Sequence, residues 1–194
     1  MSDTSAFGYG QMEPSDTASE YNVICFIVTQ LMAKMQTMIP VQVQAVYVQA
    51  PGGVGPAGTV DVLPLVTQLD GQNNATPHGT VHGLPFFRVG GGSNAVICDP
   101  QVGDIGIVHA ASRDISSVIS KRGQANPGSL RKYDLADGVY VGGILGQTPT
   151  QYVVFTPTGI NIGDKNGNII EMAAGFVNIV TTVLKVNGVP VTVP

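Results

Sequence analysis

The sequence contains no tryptophan, only two cysteines and few charges, with Asp, Glu, Lys and Arg together making up 11% of 194 residues. Each scarcity excludes something. Two thiols, Cys25 and Cys98, cannot form a disulfide framework, and both stand among apolar neighbours, which predicts buried free cysteines. The first twenty residues hold four acids, Asp3, Glu13, Asp16 and Glu20, and no base, so the basic start of a secretory signal is missing. The longest apolar stretch, Val23 to Val28, is far short of the ~20 residues a membrane-spanning helix needs. A net charge of −4 argues against a protein whose main task is gripping DNA or RNA. The low charge does not mean disorder, because 43% of the residues are hydrophobic. The length suits one or two small domains.

What the chain has in quantity is glycine and proline, 25 and 13 residues, without a collagen-like period. This composition predicts many turns and short strands. Thr17 and Glu20 have the spacing of a capping box, so a helix is expected over 15–39, after a flexible acidic leader over 1–14. Tyr21, Ile24, Val28, Leu31, Met35 and Met38 alternate steps of three and four, a heptad seam that fits a helix covering its own domain or a self-associating coiled coil. Val23, Phe26 and Ile27 lie off the seam, which predicts burial on two sides. From Pro40 the period changes to two. Strands are expected at Val41 to Val48, Thr59 to Val66, Gly83 to Val89, Ile105 to Ala110 and Gly138 to Ile144. Five short strands with long loops over 40–147 suit a closed barrel of the oligonucleotide/oligosaccharide-binding (OB) type; a sandwich fits the same pattern.

The segment 148–194 differs again. From Tyr152 to the end, 21 of 43 residues are hydrophobic, and Gly159, Gly167 and Gly175 recur every eight positions. Such a period reads as short strands between glycine turns. A segment this small, without disulfides or metal ligands, cannot build a core alone. Other copies of the same chain are the remaining solution, and three chains around one axis would bury Ile160, Ile162, Ile169, Ile170, Met172, Phe176, Val177 and Ile179 while removing free strand edges.

Little in the sequence suggests chemistry. His78 and His82 have helical zinc spacing, but Pro77, Gly79 and Gly83 argue against a helix there and no third ligand is near. His109 falls in an expected strand. Asp134 and Asp137 fit the flanks of a turn better than an acid/base pair. The Gly90-Gly91-Gly92 run lacks a following Lys-Ser/Thr and reads as a loop rather than a phosphate cradle. No cofactor, no resident metal and no catalytic residue are expected.

Several segments, taken in order, resemble the central spike proteins of contractile phage tails, the baseplate assembly protein V group and the membrane-piercing spikes. They are Val60-Asp-Val-Leu-Pro-Leu-Val, His82-Gly-Leu-Pro-Phe-Phe, Gly103-Asp-Ile-Gly-Ile-Val-His, Ser112-Arg-Asp-Ile, Arg131-Lys-Tyr-Asp-Leu-Ala-Asp-Gly-Val-Tyr-Val and Asp164-Lys-Asn-Gly-Asn-Ile. The resemblance runs from about Tyr21 to the end. It implies a mainly β homotrimer with an N-terminal α-helix, an OB-fold barrel and a C-terminal intertwined triple-stranded β-helix. It further implies a non-enzymatic structural role at the tail baseplate of a virion, in penetration of the host envelope. Many such spikes end in a His-x-His pair that binds iron; here no histidine follows His109, so no iron is expected. Instead Val189, Pro190, Val191 and Pro194 are expected either to meet a separate tip protein or to form a blunt end. Arg113, Lys121, Arg122, Arg131 and Lys132 lie within twenty positions and are expected to dock on an acidic tail hub. Two rival readings compete: an OB-fold protein that binds single-stranded nucleic acid through these same bases, and a trimeric tail-fibre or adhesin component.

Overall fold

The computed structural model describes residues 10–51 and 53–191. It is mainly β, and the chain divides into two compact units between Leu145 and Gly146.

The first unit opens with a 3-10 turn at Pro14–Thr17, followed by α1 (Glu20–Ala33). Ser19 is the N-cap, its side chain accepting from the Asn22 N–H at 3.2 Å. The helix is therefore shorter at both ends than the 15–39 expected. Thr17 instead donates to Pro14 O. At the far end Met38 already belongs to β1 (Met38–Tyr47), so the heptad seam runs on past the helix that carries it.

The strands of this unit continue with β2 (Thr59–Pro64), β3 (Gln68–Leu69), β4 (Ala75–Thr76), β5 (Val81–Pro85), β6 (Gly90–Gly91), β7 (Asn94–Ala95), β8 (Ile105–Ala110) and β9 (Gly138–Gly142). A short helix, α2 (Ser116–Lys121), lies between the last two. All five strands expected from the period-two pattern join one antiparallel sheet, in the order β5-β2-β1-β8-β9. β3 with β4, and β6 with β7, are separate small hairpins, so the triple-glycine run is part of a hairpin. The long strand β1 makes the curvature, pairing with β8 through Met38 to Gln42 and with β2 from Val41 to Tyr47. Its register with β2 shifts between Val43 and Ala45, an irregularity of the kind that bends a strand. The sheet curls until Phe86, just past β5, bridges Tyr140 of β9 in parallel, with the Phe87 N–H donating to Tyr140 O at 2.8 Å.

Alternation places the core. Ile39, Val41 and Val43 point inward from β1, Val60 and Val62 from β2, Leu84 from β5, Val108 from β8 and Tyr140 from β9; Phe86 and Leu135 complete the cluster. The two thiols correct the sequence reading: Cys25 and Cys98 are both free and exposed. Apolar neighbours along the chain failed as a guide to burial because α1, which carries Cys25, has no buried residue, and Val96 and Ile97 beside Cys98 are themselves exposed.

The second unit is a four-stranded antiparallel meander, β10 (Tyr152–Thr156), β11 (Gly159–Gly163), β12 (Ile169–Ala173) and β13 (Phe176–Val180), followed by a hairpin of β14 (Lys185–Val186) and β15 (Val189–Pro190). Each strand pairs with its sequence neighbour in the same chain. Of the three periodic glycines, Gly167 and Gly175 are turn residues with φ of 82° and 87°. Gly159 is not a turn. It opens β11, and a Cβ there would run into Met172 O.

Candidate functional site

The register of the β10–β13 sheet sorts its side chains into cross-strand rows. One row is Phe155, Ile160, Met172 and Val177; another is Val153, Ile162, Ile170 and Ile179. The rows lie two residues apart on every strand, so they share a face, and that face carries eight apolar side chains and nothing else. The row between them, Val154, Asn161, Glu171 and Asn178, belongs to the opposite face and is mostly polar, with Asn178 Nδ2 donating to Glu171 Oε2 at 3.5 Å. A sheet with one apolar and one polar-centred face is built to cover the first and wet the second.

Nothing among the described residues of this unit covers it. No hydrophobic residue of the unit is buried among those described, and seven of the eight side chains, from Met172 at 36% to Phe155 at 75%, keep more than a third of their surface exposed. Covering such side chains is worth roughly 1 kcal/mol or more each. Six sequence candidates, Ile160, Ile162, Ile170, Met172, Val177 and Ile179, fall on this face; Ile169 and Phe176 fall on the other. Val153 and Phe155 were missed. Their strand is an unbroken apolar run, Tyr152 to Phe155, in which alternation gives no sign of which side is which.

The hairpin at the end of the unit turns through Asn187 and Gly188, both with positive φ, as a two-residue turn requires. It presents Val189, Pro190 and Val191 to solvent, and the Val191 N–H donates to Leu184 O at 2.8 Å. Pro194 lies outside the described residues.

The expected basic docking patch does not form as one group. Arg131 is held internally: its Nε donates to Asp137 Oδ2 at 3.0 Å, and its terminal nitrogen reaches Asp137 Oδ1 at 3.0 Å and Asp114 Oδ2 at 3.2 Å. Both carboxylates are buried. Hydrogen bonds from Ser116 and Ser129, together with the Arg131 charge, hold Asp114 far below the ordinary carboxylate range, and Asp137 raises Arg131 in turn. Lys121 and Arg122 stand exposed at the end of α2, Arg122 as a left-handed C-cap. Arg122 lines an open groove with Tyr47, Pro51 and Pro56, whereas Lys132 lines a different one with Lys34 and His78. Arg113 is exposed. The sequence places these bases close along the chain; the fold ties Arg131 to two carboxylates and puts Arg122 and Lys132 in different grooves.

The histidines and carboxylates have structural surroundings. His82 Nδ1 lies 2.7 Å from Asp61 Oδ2, and Asp61 also accepts from Tyr47 Oη at 3.0 Å and the Gly83 N–H at 2.9 Å. Burial pushes the Asp61 carboxyl up, but these three partners outweigh it and the net direction is down. Asp134 caps a 3-10 turn at Leu135–Asp137 by accepting from the Ala136 N–H at 2.9 Å. His109 is exposed on β8. Among the described residues no group of three or more His, Cys, Asp or Glu is placed to hold a metal ion, and no helix is long and apolar enough to cross a membrane. No protein-family model matches the chain, and no curated protein matches it.

Proposed function

We propose that this chain is a structural, non-enzymatic homotrimer, the central spike of a contractile tail baseplate, joining a tail hub to the tip and helping to pierce the host envelope. The observation that carries the reading is the uncovered apolar face of the β10–β13 sheet. Three such faces turned inward enclose their own rows of Phe155, Ile160, Ile162, Ile170, Met172, Val177 and Ile179, the trimeric β-helix that the family resemblance implies. The identical surface on every copy makes self-association the solution with the fewest parts.

Two further features support it. The strand order β5-β2-β1-β8-β9 with a parallel link between Phe86 and Tyr140 is the arrangement we read as an OB-fold barrel, the collar domain of such spikes. The exposed Val189, Pro190 and Val191 offer an apolar end for a tip protein, and Arg113, Lys121, Arg122 and Lys132 are exposed cations that a hub could meet. Contraction of a sheath supplies the force in this mechanism. A trimeric shaft transmits it, because separating the chains would expose all the buried rows together.

Light scattering of the purified chain, beside a version ending at Gln147, tests the reading. A particle of three times the 20.1 kDa chain mass that loosens or dissociates on truncation supports it. A stable full-length monomer overturns it and returns attention to nucleic-acid binding by the first unit.

A further inference from the structure

The helix α1 is inside out by the usual standard of a surface helix. Asn22, Val23, Phe26 and Gln30 share one side and are part-covered, with Asn22 Nδ2 donating to Ser15 O at 2.6 Å and Gly10 lying beside Gln30. The opposite side carries Tyr21, Ile24, Ile27, Val28, Leu31 and Met32, whose exposure runs from 47% at Val28 to 74% at Tyr21. No residue from Tyr21 to Ala33 is charged. A helix of 14 residues is marginal by itself in water, and one that points its apolar stripe outward needs something to cover it.

We infer that this stripe is covered by the same helix of other copies, as a parallel three-helix bundle formed by Tyr21, Ile24, Ile27, Val28, Leu31 and Met32. The inference takes its stoichiometry from the trimer proposed above, but it concerns a different surface in a different unit. The pattern selects the occupant. Tyr21 and Val28 repeat at seven residues, Ile24 and Leu31 repeat at seven, and the two series interleave as the a and d positions of a heptad. Of the flanking e and g positions within the helix, Cys25, Ile27 and Met32 are uncharged and exposed and only Glu20, at the first residue, is charged, so beyond that residue the stripe is broader than a two-stranded seam uses. A membrane surface fits poorly. Interfacial helices carry Lys or Arg on their polar side, α1 has neither between Tyr21 and Ala33, and the chain is net acidic.

The test uses the full chain with Cys25→Ser and Cys98→Ser, both at exposed positions, and one new thiol per variant. Val28→Cys puts the thiol at an a position facing the bundle axis; Ala33→Cys puts it at the outermost f position as a control. Each is treated with a short bismaleimide after its mass has been measured by light scattering. The expected result is a trimer in which Val28→Cys gives covalent chain pairs on a denaturing gel, at least tenfold more than Ala33→Cys. A trimer in which the two variants crosslink equally or not at all overturns the bundle while leaving the trimer standing, and assigns the stripe to a different protein. A monomer overturns both.

Discussion

The ring of Tyr140 lies on Gly106 of the neighbouring strand, so close that a methyl group added to Gly106 would come within 2.5 Å of Tyr140 Cε2. Gly142 faces Gly106 across the same two strands, and together they leave the floor on which the ring rests. Gly106→Ala is expected to destabilise the first unit by about 1–3 kcal/mol, the usual cost of overpacking. A shifted denaturation midpoint measures this. An unchanged midpoint would mean that the ring is not pinned there.

The same ring carries a hydroxyl with no hydrogen-bond partner, and burial, assisted by the charge of Asp104, pushes its ionisation up to about 12. Removing an unpaired buried polar group costs nothing and relieves its desolvation. Tyr140→Phe is therefore expected to leave the thermal midpoint unchanged or raise it. A clear drop would show that the hydroxyl has a partner in solution.

Asp61 ties three strands together, through Tyr47 on β1 and through His82 and Gly83 on β5, from its own place on β2. Asp61→Ala is expected to cost about 1–3 kcal/mol, because it removes the carboxylate on which three hydrogen bonds converge. Chemical denaturation reads the loss. His82→Ala should cost less, since that side chain is 71% exposed.

Acid should weaken the first unit. Asp61 and Asp114 are both held below the ordinary 3.8 in the folded chain, so the unfolded chain takes up protons first as pH falls. Their contribution is fully present above about pH 5 and drains away below about pH 4. Urea midpoints measured between pH 7 and pH 2 should show this decline. The slope should flatten in Asp114→Asn, and an equally steep slope in that variant would assign the acid lability to other carboxylates.

Ile162 and Ile170 are cross-strand partners at the centre of the uncovered face. Ile162→Asp is expected to convert the proposed trimer to chains of 20.1 kDa. Asn161→Asp, one residue away on the opposite face, should leave the mass unchanged. Equal behaviour of the two variants would show that the register does not select the interface.

Much of this arrangement was legible beforehand because it depends on local periodicity. The five strands of the first sheet follow from alternation at Val41, Val43, Val60, Val62 and Val108, and most of the second unit's apolar face from alternation at Ile160, Ile162, Ile170 and Met172. What escaped depends on who meets whom. Asp61 reads as a polar interruption between two valines until Tyr47 and His82 close over it. Arg131 reads as one free cation among five until the fold brings Asp114 and Asp137 to it. The helix end was missed because Met35 and Met38 continue the heptad, although β8 has already claimed Met38 as a pairing partner for His109.

Composition and spacing alone thus determined a mainly β chain with short strands, a helix near the start and an apolar end of short strands set between glycines. These are properties of backbone period and buried area, which neighbouring residues specify. Tertiary structure decided the rest: which strand edges meet, which charges cancel, and which face of the β10–β13 sheet carries eight apolar side chains. Those outcomes turn on register and on contacts between residues distant in the chain, and a shift of one residue would have moved every one of those side chains to the other face.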